Sequence, residues 1–236
     1  MIDLSALNVK IFLDTANLDS IEKSLNNYPF IKGFTTNPSL MHKEGVKDYE
    51  LFCKKALEIS SNLPISFEVF SDNINEMEKE GRIISSWGNN SYVKIPISNT
   101  KGESTRNIIR NLTKDGIKVN ITAIFTLLQV SQIIDFFESD TPAIISVFAG
   151  RIADSGIDPI DIMSNCSKII RKKKNIDLLW ASSREVLNIL HAEKSNCDII
   201  TIAPDILSKI NLLNKNLDDF SLETVKDFFN DAQNAG

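Results

Sequence analysis

A lysine interrupts the apolar run Tyr92-Val93-Lys94-Ile95-Pro96. Burial disfavours a charged ammonium, and a neutral amine attacks carbonyl carbon to form a Schiff base. Structural ion pairs also bury lysines, so Lys94 alone is weak evidence for chemistry. Its company along the chain is what changes the odds. Asp14 follows Ile11-Phe12-Leu13, and Glu68 lies inside Ile65-Ser66-Phe67-Glu68-Val69-Phe70. Two carboxylates in different settings suit proton transfer at two different atoms. Thr122 can hold a water. Thr35, Asn37, Asn120 and Ser146 offer hydroxyl and amide partners for a polyol. Arg151, Ser182 and Arg184 have the make-up of a phosphate clamp. An arginine taken singly is more often a surface ion-pair partner. A polar residue within an apolar run is costly unless it is hydrogen-bonded or used, and here almost every run contains one.

The elements that carry these residues alternate between two kinds. Short β-branched or aromatic runs occur at 11–13, 33–36, 65–70, 92–95, 119–122, 143–148, 178–181 and 199–202, each of strand length. Between them lie helical stripes: Leu51, Ala56, Leu57 and Ile59; Ile108, Ile109 and Leu112; Val130, Ile133, Ile134 and Phe137. Eight strand-then-helix units predict an α/β fold, a (β/α)8 TIM barrel spanning residues 1–236 as one domain. In such a barrel the strand C-termini share one mouth, which would gather the polar residues listed above. The alternative is a doubly wound open sheet. That fold wants a glycine-rich turn after its first strand, where this chain has Asp14-Thr15-Ala16-Asn17. Pro38, Pro64, Pro96, Pro142 and Pro204 fall at strand boundaries, and Gly45 and Gly116 suit left-handed turns. Arg171-Lys172-Lys173-Lys174 closes a predicted helix, where the helix dipole favours cations. An extra C-terminal helix is expected over about 221–232, with Leu222, Val225, Phe228 and Phe229 on one face. That face should pack on the barrel or on a neighbouring subunit, so a homo-oligomer is expected.

Bulk properties narrow the function. A net charge of −5 disfavours a nucleic-acid surface but allows a local basic pocket for phosphate. The three scattered cysteines, Cys53, Cys166 and Cys197, form no disulfide framework or metal pair, and a reduced cytoplasmic setting fits them. No apolar stretch is long enough for a membrane span, and the N-terminus lacks a basic leader. With only His42 and His191, a three-histidine zinc site is impossible, and a serine–histidine relay would have to use one of these two.

Several segments together resemble the transaldolases, and in particular their short single-barrel branch. They are Phe12-Leu13-Asp14-Thr15-Ala16, Thr35-Thr36-Asn37-Pro38-Ser39-Leu40, Val93-Lys94-Ile95-Pro96, Asn120-Ile121-Thr122, Ser146-Val147-Phe148-Ala149-Gly150-Arg151-Ile152 and Ala181-Ser182-Ser183-Arg184. The resemblance implies transfer of a dihydroxyacetone unit between sugar phosphates, with neither a metal nor an organic cofactor. It implies a Schiff base on Lys94, proton exchange by Asp14 at the cleaved carbon–carbon bond, and a Glu68–water–Thr122 shuttle during imine formation. Asn37, Asn120 and Ser146 would hold the dihydroxyacetone unit, and Arg151, Ser182 and Arg184 the phosphate. Fructose-6-phosphate aldolases resemble the chain too, but carry glutamine at Glu68 and tyrosine at Phe148. Val147, Trp180 and Ser183-Arg184-Glu185 depart from the better-known transaldolase pattern, and Glu185 is expected to reshape the phosphate site. The alternatives are an aldolase that releases dihydroxyacetone and a sugar-phosphate-binding barrel without turnover.

Overall fold

The computed structural model describes residues 2–234, so Met1 and the last two residues of the expected 1–236 domain lie outside the described residues. Eight parallel strands close into a barrel in sequence order. They are β1 (Lys10–Asp14), β2 (Ile31–Thr35), β3 (Ile65–Glu68), β4 (Ser91–Pro96), β5 (Val119–Ile124), β6 (Ala143–Val147), β7 (Ile176–Trp180) and β8 (Ile199–Ile202). Closure comes from β1, which pairs with β2 on one side and β8 on the other. The helices are α1 (Leu18–Asn27), α2 (Pro38–Lys43), α3 (Tyr49–Ile59), α4 (Ile74–Ser86), α5 (Arg106–Lys114) and α6 (Leu127–Ile133). They continue with α7 (Ala149–Asp154), α8 (Ile160–Ile170), α9 (Leu187–Lys194), α10 (Pro204–Leu207) and α11 (Leu217–Asn234). Every predicted strand is found, and a (β/α)8 barrel with a C-terminal helix is the fold.

Side-chain parity explains how apolar strands come to present polar chemistry. Successive residues of a strand point to opposite faces. Ile11, Leu13, Phe34, Phe67, Val93, Ile95, Ile121, Ile145 and Val147 belong to the large core between sheet and helices. Phe12, Ile144, Leu179 and Ile199 have the other parity and form a separate cluster inside the barrel, with Tyr92 and Phe148 packed against it. Asp14, Thr35, Glu68, Lys94, Asn120 and Ser146 share the interior parity. The register sets Asp14 beside Thr35, Glu68 beside Lys94, and Lys94 beside Asn120. The barrel interior is therefore an apolar plug carrying a polar floor. Gly33 makes room for that plug: a Cβ there would stand 2.5 Å from the Phe12 ring.

Polar caps start the helices that rim the mouth. Asn17 caps α1, and Asn37 caps α2 with Pro38 in its first turn. Thr126 and Gln129 form a reciprocal capping box at α6. Gly45 and Gly116 adopt the left-handed backbone expected of them, at φ +68° and +77°.

Two expectations need correction. The α3 stripe is shifted, because Phe52, Cys53, Ala56 and Leu57 are buried while Leu51 is half exposed. The C-terminal helix begins at Leu217, earlier than the apolar stripe suggested, because Asn216 Oδ1 accepts from the Asp218 and Asp219 amides and starts the helix there. No residue of α11 is buried, and Val225, Phe228 and Phe229 face solvent, so the helix does not pack into the barrel of its own chain. Among the described residues no helix is long and apolar enough to cross a membrane.

Candidate active site

The strand C-termini surround a cavity of about 570 Å³. Of the residues expected at the site, Asp14, Thr35, Asn37, Glu68, Lys94 and Thr122 line it from the first five strands and their loops. Ser146, Phe148, Arg151, Ser182 and Arg184 line it from the later ones. Asn120 is the one that does not. It is wholly buried, donating to Ser66 Oγ at 3.0 Å and accepting from Ser146 Oγ at 2.6 Å. In the register it stands level with Lys94, but its side chain is taken up by Ser66 and Ser146. It therefore holds Ser146 and Ser66 in place and gives no direct contact to the cavity.

Lys94 is buried at this floor. Its Nζ donates to the Thr36 carbonyl at 3.0 Å and lies 3.2 Å from Glu68 Oε2. The end of β3 is itself anchored, since the Tyr49 hydroxyl donates to the Glu68 carbonyl at 2.6 Å. Asp14 Oδ1 accepts from Thr35 Oγ1 at 2.7 Å, and its Oδ2 faces Asn37 Nδ2 at 3.4 Å. Burial raises the Asp14 carboxyl above its ordinary range. The Lys94 ammonium and the Thr35 hydroxyl oppose that shift, while the Glu68 charge adds to it. Thr122 Oγ1 is buried in the cavity wall with no hydrogen-bond partner among the described residues. A buried polar group without a partner is costly, so a hydroxyl in this position is poised for a ligand or solvent oxygen.

The later strands hold the two arginines differently. The Arg151 guanidinium sits 4.9 Å from the centroid of the Phe148 ring, which in turn packs tilted on Phe125 at 5.6 Å. Arg184 is gripped by Asp154: Nε lies 3.1 Å from both carboxylate oxygens, and Nη2 donates to Oδ2 at 2.5 Å. That ion pair holds the Asp154 carboxyl below its usual range. The acid that meets Arg184 is thus Asp154, thirty residues away, and not its neighbour Glu185.

Two non-glycine residues on the cavity wall, Ala123 and Ser182, have left-handed backbone at φ +59° and +62°. Such conformations cost about 1–3 kcal/mol and persist where the surroundings impose them. At Ser182 the cause is visible. The Gly150 amide donates to the Ala181 carbonyl at 3.2 Å, and a Cβ on Gly150 would stand 1.5 Å from the Ser182 carbonyl oxygen. The start of α7 and the β7 turn fit together only through this glycine. Gly150→Ala is therefore expected to destabilise the fold by roughly 1–3 kcal/mol through overpacking. It should also displace the turn that carries Ser182 and Arg184. Urea unfolding would measure the first effect, and a raised KM for phosphorylated sugars the second.

The sequence profile of the transaldolase/fructose-6-phosphate aldolase family matches residues 11–236. The chain belongs to this family. It is 36% identical over 203 residues to a probable transaldolase of Streptococcus equi subsp. zooepidemicus, covering 86% of this chain and 90% of that one. A probable transaldolase of Streptococcus pyogenes serotype M1 matches with the same identity and coverage. Among solved structures, the carboxyl transferase domain of Rhizobium etli pyruvate carboxylase superposes with a TM-score of 0.59 at 9% identity, over 85% of this chain and 40% of that one. That likeness is one of barrel fold.

This family member also has cavity residues that its sequence did not single out. Lys43, at the C-terminal end of α2, adds a third cation to the rim. Thr201 has the interior parity on β8, the same signal that marks Asp14 and Lys94. Ser183 reaches the Thr201 carbonyl at 2.6 Å and ties the β7 turn to β8. Asp154 gave no signal in an ordinary helical stretch.

Proposed function

We propose that the chain is a transaldolase that moves a dihydroxyacetone unit between sugar phosphates through a Schiff base on Lys94. The observation that carries this reading is a buried amine 3.2 Å from one carboxylate, Glu68, in a cavity that holds a second, Asp14, in a different environment. Glu68 takes a proton from the ammonium, and the free amine adds to the ketose carbonyl. The carbinolamine loses water to give the iminium, with Glu68 and a water on Thr122 exchanging the protons. Asp14 then takes the proton of the hydroxyl on the carbon beyond the bond to be cleaved. That bond breaks, its electron pair moves toward the iminium, and the aldose leaves. The resulting enamine attacks the acceptor aldehyde, Asp14 returns its proton, and water releases the new ketose. No redox step and no other reactant is needed.

The same reading gives sedoheptulose 7-phosphate or fructose 6-phosphate as donor. Glyceraldehyde 3-phosphate or erythrose 4-phosphate is the acceptor, within the non-oxidative pentose phosphate pathway in the cytoplasm. Asn37 and Ser146 hold the dihydroxyacetone unit, and Arg151, Ser182 and Arg184 the phosphate. The uncovered apolar face of α11 supports a homo-oligomer in which that face meets a second copy. Phe148 favours transfer over release, because a phenyl ring has no acidic proton to give the enamine before the acceptor arrives. A coupled assay with fructose 6-phosphate tests the reading: turnover should depend on added erythrose 4-phosphate, with little free dihydroxyacetone. Release as fast without acceptor as transfer with it would replace transaldolase by aldolase.

Arg184→Ala is expected to raise KM for phosphorylated donors roughly tenfold or more, the loss that follows removal of a charge-assisted bidentate contact. Unphosphorylated sugars should be affected little, and steady-state kinetics on both substrate types would show the split. Equal losses on both would make the arginine structural.

A further inference from the structure

The two arginines of the rim differ in how they are held, and that difference has a use. Arg184 carries five N–H groups in a planar fork. Nε–H and one Nη2–H go to Asp154. Among the described residues, the Arg184 side chain makes no other hydrogen bond, so both Nη1 hydrogens and the second Nη2 hydrogen remain available. They form the end of the fork whose two parallel N–H bonds match a phosphate. Arg184 lines the cavity, whereas Asp154 is absent from its wall. The carboxylate therefore grips the guanidinium from outside the cavity, by the Nε edge, and leaves the phosphate-matching edge open. Among the described residues the Arg151 side chain makes no hydrogen bond or ion pair; it rests on the Phe148 ring, and its charge acts on Asp154 only through space.

We infer that Asp154 is a positioning residue for the substrate phosphate, fixing the orientation of Arg184 before the ligand arrives; this rests on the sugar-phosphate reading above. Stability is not an adequate explanation for the pair. Both partners are half exposed, and exposed ion pairs contribute little to folding. A free arginine at the rim loses side-chain freedom when it clamps a phosphate, and prior anchoring removes part of that cost. An opposite effect must be weighed, because the Asp154 charge also repels a dianion. That repulsion acts across the width of the guanidinium and is screened by solvent and salt, whereas the orientation is fixed by direct bonds. Positioning is therefore the larger effect.

The test is a double-mutant cycle at physiological ionic strength, using Asp154→Ala, Arg184→Ala and the double variant. KM and kcat are measured with fructose 6-phosphate plus erythrose 4-phosphate, and inorganic phosphate binding is measured by ³¹P NMR. Asp154→Ala should raise KM roughly three- to tenfold with kcat unchanged, and weaken inorganic phosphate by a similar factor. Asp154→Glu should recover part of the loss. In the Arg184→Ala background, removing Asp154 should add nothing. An unchanged or lower KM in Asp154→Ala overturns the inference, as does a further loss in the double variant, since Asp154 would then act by another route. Failure of the unmodified protein to turn over the sugars would overturn the transaldolase reading instead, and the phosphate measurement would still report on Asp154.

Discussion

Lys94→Ala is expected to abolish both turnover and covalent trapping. With the unmodified protein, fructose 6-phosphate and borohydride should fix one dihydroxyacetone unit on a peptide containing Lys94. The alanine variant should carry none, and kcat should fall on the order of 10⁴-fold or more, as in other enzymes stripped of their nucleophile. Geometry makes the expectation specific to this lysine. Lys94 is the cavity lysine buried at the floor, with a main-chain carbonyl at 3.0 Å and a carboxylate at 3.2 Å to manage its protons. Lys43 also borders the cavity, but from the exposed end of α2. Its side chain is exposed there, and among the described residues nothing holds it near Glu68. The fold should survive the substitution, because the apolar residues that flank Lys94, Val93 and Ile95, pack on the opposite face of β4. The variant should melt somewhat earlier, because Glu68 and Asp14 lose their cation, and a single cooperative transition would confine the loss of turnover to chemistry. An adduct on another lysine, with Lys94 untouched, would sink the assignment.

What could be read from the sequence was whatever obeys a period of two. Lys94 between Val93 and Ile95, and Ser146 between Ile145 and Val147, announce an inward polar residue on a buried strand. Their strands are where that pattern puts them. Asn120 has the same signature yet does not line the cavity, because parity states the face of a strand and not whether neighbours there, Ser66 and Ser146, already engage the side chain. Asp154 was illegible for a different reason. It lies on a six-residue helix with no strand pattern, and its meeting with Arg184 depends on the turn that Gly150 and Ser182 form together. Glu185 was the nearer acid in sequence, but the Arg184 guanidinium turns to the one that the close packing of α7 on the β7 turn brings within reach. The C-terminal helix showed its apolar stripe but not its start, since Asn216, which caps it, lies outside that stripe.

Asp14→Asn should separate catalysis from both binding and stability. As the proposed base at the cleaved bond, Asp14 would have to be ionised to act, and losing a well-placed general base costs typically 10²–10⁴-fold in rate. On the proposed reading the Schiff base forms at the Lys94 end of the cavity before any bond is cleaved, so with fructose 6-phosphate borohydride should still trap an adduct on Lys94 in the variant, now chiefly the uncleaved hexose phosphate. Loss of the adduct together with turnover would show that Asp14 serves imine formation instead. The pH dependence follows from the raised carboxyl. In the unmodified protein the base is lost as pH falls through this elevated pKa, so the acid limb of kcat should lie above the range of an ordinary aspartate, and the asparagine variant should lack it. The stability effect has the opposite sign. A carboxyl whose folded pKa is raised binds its proton more tightly in the folded state. Its contribution therefore favours folding at low pH, where it is protonated in both states, and is lost as pH rises from the unfolded pKa through the folded one. At neutral pH the ionised Asp14 is a net strain on the fold that the neighbouring Lys94 ammonium only partly offsets. Asparagine has the same shape, its oxygen can still accept from Thr35, and it carries no charge to desolvate. The variant should thus show a higher urea midpoint than the unmodified protein at pH 7, and the gap should narrow as the pH is lowered. A lower midpoint at pH 7 would mean that the interaction with Lys94 outweighs burial, and that Asp14 is held ionised by the fold rather than against it.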